Sequence, residues 1–261
     1  MPSEQKHPPI IQRTFSLYFE QKKEVFYAKQ AIFGRLIAEQ FPEHNPRKNW
    51  SLNVKTKNGK PDFSGIKPEV HITNCYLQKD KKGNPLSSVE LEEDQLTIHL
   101  FRTDSAHAFS DLRSAIEFCL PIFFDTFEEP NIRTIALNYI NLISKATTPS
   151  FVDNKGAIRI GEVLTVFNRF PGEYESLIPP YDCQIGTALD SSHGYYNLVR
   201  VSAPPEGFAG GSAIKVDLNV RRELGSRKFS KYETMETLEI LHGYVSSAFQ
   251  NIFTEQAKQS F

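Results

Sequence analysis

Ile132-Arg-Thr-Ile-Ala-Leu-Asn-Tyr-Ile-Asn-Leu-Ile-Ser-Lys145 is the longest strand-like run near the middle of the chain. Its residues fall into two alternating sets. Ile132, Thr134, Ala136, Asn138, Ile140 and Leu142 point one way; Arg133, Ile135, Leu137, Tyr139, Asn141 and Ile143 point the other. Successive side chains of a strand leave opposite faces. Both sets are largely apolar, so the run predicts a strand covered on both faces. Asn138 and Asn141 then need hydrogen-bond partners, which predicts an ordered polar network.

Upstream of this run, Ile10 to Phe19 alternates, with Ile11, Arg13, Phe15, Leu17 and Phe19 on the core side. Val25, Ala28, Ile32, Leu36 and Ile37 fall at helical spacing, and Phe41-Pro42 ends that helix. Trp50–Val54, Glu69–Leu77, Val89–Leu91 and Gln95–Arg102 read as strands, with the charged turn Lys79–Asn84 between two of them. A second helix, capped by Asp104 or Ser105, carries the stripe Phe109, Leu112, Ala115, Ile116, Cys119 and Leu120. Pro121 should kink or end it, because proline lacks the amide hydrogen and crowds the preceding turn.

Downstream, Ile160–Phe170 fits a short helix or a strand equally. Cys183–Leu189 and Tyr195–Ser202 read as paired strands, and Ala203–Gly211 as a flexible hairpin tip. Ser212–Arg222 alternates cleanly, with Ile214, Val216, Leu218 and Val220 inward and Lys215, Asp217, Asn219 and Arg221 outward. In the last helix, Ser230 and Glu233 fit a capping box, and Met235, Leu238, Leu241, Val245, Phe249 and Ile252 form its stripe. The fold class is therefore α+β: a mainly antiparallel sheet with three main helices packed on it. Residues 1–9 are a flexible arm, and 10–257 form a single domain. The order strand, helix, meander, closing helix recurs as strand, meander, closing helix. That raises an internal structural duplication with lobes 10–128 and 129–257, without sequence identity between them.

The totals narrow the function. Of 261 residues, 39% are hydrophobic and 23% charged, ordinary for a globular protein that buries a core. Thirty Lys and Arg against 31 Asp and Glu disfavour nucleic acid as a partner. Three widely spaced cysteines, Cys75, Cys119 and Cys183, indicate reduced thiols. With no signal-peptide pattern at the start and no run near the ~20 apolar residues of a membrane helix, the expected location is the cytoplasm, with no membrane partner.

Chemistry is signalled weakly. The phosphate-loop, Gly-x-Ser-x-Gly and His-Glu-x-x-His patterns are absent, so no cofactor is implied. His71 and His99, on strands expected to be neighbours, make a poor metal site without a third ligand, and no metal is expected. His242 reads as a hydrogen-bonded packing residue, and His193 as a loop residue. A Cys183–His193 pair has nothing to orient the imidazole or activate the thiol. The acidic runs Glu92-Glu93-Asp94 and Glu128-Glu129 read as solvated turns. Asp217 differs: it lies mid-strand between Lys215 and Asn219, near Arg221, and Arg200 on a neighbouring strand reaches the same face. That face suits an anion or a polar partner, or is a solvated face with cross-strand ion pairs.

Ile135-Ala-Leu-Asn-Tyr-Ile-Asn-Leu-Ile143 resembles the Ile-Gly-Leu-Arg-Tyr-Ile-Asn-Arg-Ile strand of an uncharacterised, sporadically distributed prokaryotic protein family. Pro8-Pro9-Ile10, Phe41-Pro42, Ile214-Lys-Val-Asp-Leu218, Leu241-His242 and Phe249 fall in that family's order, and the likeness spans nearly the whole chain. This chain has Ala136 for glycine, and Asn138 and Leu142 for arginines. Tyr139, Asn141 and Asp217 match and become candidates. The resemblance brings no activity, substrate or cofactor; a patchy distribution implies an accessory role in a mobile-element or defence locus.

Two functions of different class follow. One is a binding or interaction protein, its partner a protein or an anionic small molecule, with candidate contacts Tyr139, Asn141, Arg200, Asp217, Asn219 and Arg221. The alternative is an enzyme acting on a nucleotide or other anionic substrate through Asp217 with Arg200, Arg221 or Tyr139. Convergence of those side chains in one water-poor pocket separates the enzyme from a binder whose contacts spread over an open sheet.

Overall fold

A computed structural model describes residues 9–52, 55–57, 60–62, 68–102, 108–128, 130–145, 147–152, 158–167, 182–203 and 213–261, with side chains described outside 49–71 and 167. The expected helix cap at 104–105, most of the expected tip at 203–211, and residues 1–8 of the expected arm lie outside these. Pro9, the arm's last residue, is fixed: its carbonyl accepts from Leu142 N at 2.9 Å.

The chain opens with β1 (Ile10–Glu20) and α1 (Lys23–Ile37). Next come β2 (Glu43–His44), β3 (Arg47–Leu52), and a separate hairpin of β4 (Lys55–Lys57) and β5 (Lys60–Asp62). The meander β6 (Pro68–Lys79), β7 (Pro85–Leu91) and β8 (Gln95–Phe101) leads into α2 (Phe109–Phe127). The central run is β9 (Asn131–Ser144), followed by the short α3 (Ile160–Val163). A second meander, β10 (Asp182–Asp190), β11 (Tyr195–Ser202) and β12 (Ala213–Lys228), leads into α4 (Lys231–Ile252) and the short α5 (Glu255–Ser260).

One ten-stranded sheet runs β10-β11-β12-β9-β1-β8-β7-β6-β2, with β3 also paired to β6. All its pairings are antiparallel. The fold is thus mixed α and β on a large antiparallel sheet. Ile98, Phe15, Leu137 and Val220 stand in one row across its four middle strands, all wholly buried. Helix α2 lies on β1 and β8, α4 on β9 and β12, and α1 on α2. Hydrophobic burial on this one face holds the layers together.

The opposite parity of β9 corrects the expectation of two covered faces. Ile135, Leu137, Tyr139 and Ile143 are buried under helices, whereas Thr134, Asn138 and Ile140 of the other set are only half-buried; register shifts against β1 and β12 between Ile132 and Thr134 break the alternation there, so that Ile132 is buried and Arg133 half-buried. Ala136 and Leu142 made that second set look apolar, but its cross-strand neighbours are polar: Ser16 and Arg221 flank Ala136, and Lys215 stands beside Leu142. The expected hydrogen-bond partners are found in part: Asn141 Nδ2 donates to two carbonyls, while the Asn138 and Asn141 carboxamide oxygens are buried without a partner.

Two helices also differ from their patterns. In α1 the buried residues are Phe26, Phe33, Gly34 and Ile37, while Ile32 and Leu36 face outward. Aromatic rings decide this phase: Phe26 stacks on Phe127 at 5.9 Å and Phe33 meets Phe123 edge-on at 6.3 Å. Gly34 permits the approach, because a Cβ there would fall 2.3 Å from Tyr76 Oη. Pro121 does not end α2, which runs on to Phe127. A mid-helix proline costs about 3 kcal/mol; burial of Phe123, Phe124 and Phe127 beyond it offsets that. The ambiguous 160–170 segment begins as α3 and then a 3-10 turn at Thr165–Phe167. No helix among the described residues is long and apolar enough to cross a membrane.

Candidate functional site

Strand β12 holds its expected parity. Ile214, Val216, Leu218 and Val220 are buried, and Lys215, Asp217, Asn219 and Arg221 turn to the face that carries no helix among the described residues. Register then places their neighbours. Asn219 is opposite Asn138 on β9 and Leu198 on β11; Asp217 is opposite Ile140 and Arg200; Arg221 is opposite Ala136 and Tyr196. Tyr18 on β1 stands opposite Thr134.

These side chains line a groove of about 580 Å³ formed by Tyr18, Arg133, Asn138, Leu198, Arg200, Asp217, Asn219, Arg221, Thr134 and Ala136. The short side chain of Ala136 lies in its lining, between Ser16 and Arg221 on the neighbouring strands. Arg200, Asp217, Asn219 and Arg221 therefore meet in one place. Tyr18, Arg133, Thr134, Ala136 and Leu198 join them without a sequence signal; only the strand order brings them in.

The floor and rim of the groove differ electrostatically. Asp217 pairs with Lys215 at 3.0 Å rather than with its cross-strand neighbour Arg200, and its Oδ1 is buried without a hydrogen-bond partner. The Asn138 carboxamide oxygen, its diagonal neighbour on the same face, is also buried and unpartnered. A buried acceptor left unsatisfied costs about 1–3 kcal/mol. Around the rim, Arg133 Nη2 donates to Asp94 at 2.9 Å and Arg221 Nη2 pairs with Glu223 at 3.0 Å. Ion pairs of this exposure contribute about 0–1 kcal/mol and exchange partners easily. Arg200 forks onto Asp182 through Nε (2.9 Å) and Nη2 (2.6 Å). The hydrogen bond from Arg200 holds the Asp182 carboxyl below the usual carboxylate range.

Tyr139 and Asn141 do not join this groove. They share the parity of Leu137 and lie under the helices, Tyr139 opposite Leu218 and Asn141 opposite Val216. Asn141 Nδ2 donates to the carbonyls of Val216 (3.2 Å) and Tyr139 (3.3 Å), a structural role within the sheet. Tyr139 Oη lies 2.9 Å from His242 Nδ1 on α4, and Arg13 stands over the Tyr139 ring at 5.2 Å. His242 stacks on Phe109 with ring centroids 3.7 Å apart, as a packing histidine would. Burial raises the Tyr139 phenol far above its usual value; Arg13 opposes this. Burial, aided by Arg13, lowers His242.

The remaining candidates stay apart. β7 separates β6 from β8, so His71 and His99 are not on neighbouring strands; the His71 side chain lies outside the described residues. His99 Nδ1 contacts Gln12 (2.8 Å) and Thr14 (3.0 Å), and its Nε2 lies 3.6 Å from Glu90. Cys183 and His193 stand at opposite ends of the β10–β11 hairpin, His193 bonded to Asp190 at 2.7 Å. Cys119 is buried, which pushes its thiol up to about 12 and leaves it unreactive. Glu92 accepts from Thr73 (2.6 Å) and Glu128 pairs with Lys29 (2.5 Å), while Glu129 lies outside the described residues. Among the described residues no three His, Cys, Asp or Glu side chains gather as metal ligands.

No family model, curated protein or solved structure matches the chain.

Proposed function

We propose that the protein is a binding protein whose partner engages the helix-free face of the sheet at the Asp217 groove. The carrying observation is the convergence of Arg133, Arg200, Asp217, Asn219 and Arg221, from three strands, on one groove of about 580 Å³. Charged and amide side chains gathered in one cleft supply the few polar contacts that orient a bound partner. The alternative, an enzyme using Asp217 as base, keeps the same groove but loses Tyr139, which is on the other face. Among the described residues no His or Cys lines the groove to share proton transfer. An accessory role in a mobile-element or defence locus is supported by the sequence motifs alone.

A tandem structural duplication belongs to this proposal too. β8 pairs with β1 and leads to α2; β12 pairs with β9 and leads to α4. The groove would then sit on the second repeat and on β1 and β9, where the repeats meet.

The test is capture from extracts of the native cells with wild type, an Asp217→Ala/Arg221→Ala double variant, and a hairpin-tip control, Asp80→Ala. The double variant should lose what wild type and control retain. Equal recovery by all three excludes the groove as the binding surface.

A further inference from the structure

We infer that the edge strand β10 is a pairing surface for a second copy of this chain, joined antiparallel about a two-fold axis at Ile185. β10 closes one end of the sheet and, among the described residues, pairs only with β11. Every residue from Asp182 to Leu189 is exposed. Its outward backbone groups have no strand partner among the described residues, and such an edge is a template for another strand. Natural edges are blunted by lysine, proline, bulges or brevity. The far edge follows that rule: β2 has two residues, and β3 follows Pro46 and opens with Arg47-Lys48. Between Asp182 and Asp190, by contrast, β10 has no charged residue and no proline. Its pairing stays regular from Asp182 to Ala188.

The strand's own chemistry selects the partner. The regular seven-residue span Asp182–Ala188 has Ile185 at its centre. A two-fold axis there sets Ile185 against its copy, Cys183 against Thr187, Gln184 against Gly186, and Asp182 against Ala188. No like charges are opposed, and Asp182 already holds Arg200 within its own copy. A two-fold contact of this kind closes, whereas β10 on the far edge of another copy would extend without end. That far edge, broken between β2 and β3, offers no matching seven-residue strand. Apolar burial adds to the backbone bonds. Ile185 and Leu189 are 39% and 38% exposed. With Val166, Val199, and Tyr244 and Ala248 of α4, they line an open groove of about 300 Å³. Residues opposed across an antiparallel pair share a face. A second β10 therefore brings its own Ile185 and Thr187 to the open side of this groove, covering apolar surface that one copy leaves in water.

Sedimentation equilibrium measures the mass of the full chain at about 100 µM, a loading above the Kd of a small specific interface. Wild type should show twice the 29.7 kDa of one chain. Ile185→Lys and Thr187→Lys each add a cation to the shared strand pair and should return the mass to one chain. Both positions are exposed, so far-UV circular dichroism should stay unchanged; if one variant misfolds, the other decides. In a Cys183→Ser background, Ile185→Cys should form a disulfide-linked dimer under mild oxidation, because facing Cβ atoms lie about 4.5–5.5 Å apart. Wild type, with Cys183 facing Thr187, should not. A wild-type mass of one chain overturns the inference, whatever else binds β10. So does a dimer that survives in the folded lysine variants, or an Ile185→Cys protein that stays unlinked.

Discussion

His242 is kept neutral by its surroundings. Helix α4 presses it on Phe109, Tyr139 lies at 2.9 Å, and the Arg13 cation is close by. Its folded pKa is lowered, chiefly by burial. Above the unfolded value of about 6.5 both states are neutral and the stability contribution is full. As pH falls below that value the unfolded chain takes a proton that the folded one refuses, so stability declines through the lower folded pKa. His242→Asn keeps an acceptor near the Nδ1 position without the titration. Urea unfolding at pH 7 and pH 5 should show wild type losing more stability than His242→Asn over that interval. Equal losses would mean that His242 titrates alike in both states. Asp217 and Asn138 contrast with this: each has a buried acceptor oxygen without a hydrogen-bond partner, a cost to the fold rather than a gain.

Helix α4 shows how an element is fixed from both ends of its logic. Ser230 Oγ accepts from Glu233 N at 3.2 Å, and Glu233 Oε2 accepts from Ser230 N at 2.9 Å, closing the capping box. Leu238, Leu241 and Val245 are wholly buried beneath it. Leu241→Ala should therefore cost about 2–5 kcal/mol, read as a fall in the urea midpoint. An unchanged midpoint would show that this stripe packs on nothing. The period-2 pattern of β12 and the period-3.6 pattern of α4 were legible because each buries one face. α1 was not, because Ile32 and Leu36 mimic a stripe while Phe26 and Phe33, one position out of phase, bury more area. Nor was the continuation of α2 past Pro121, which depends on three phenylalanines finding a core that local sequence does not show.

At the scale of the molecule, one sheet divides two tasks. Its helix-covered face carries the core row Ile98, Phe15, Leu137 and Val220; its other face carries the groove. The sequence separated these faces on β12 but not on β9, where both parities are apolar. The family resemblance grouped Tyr139 and Asn141 with Asp217, and β9 sends them to the opposite side. Arg133 and Tyr18 were invisible as site residues until β1 and β9 were known to be neighbours. The division has a direct energetic consequence. If Asp217 is held for binding, Asp217→Ala removes a buried unsatisfied acceptor and one ion pair, terms of opposite sign. The decisive measurement is the unfolding free energy of Asp217→Ala by urea titration at pH 7. The value should lie within about 0.5 kcal/mol of wild type, or above it. A loss of about 2 kcal/mol or more would contradict this, because it would make Asp217 an anchor of the fold rather than part of a binding face.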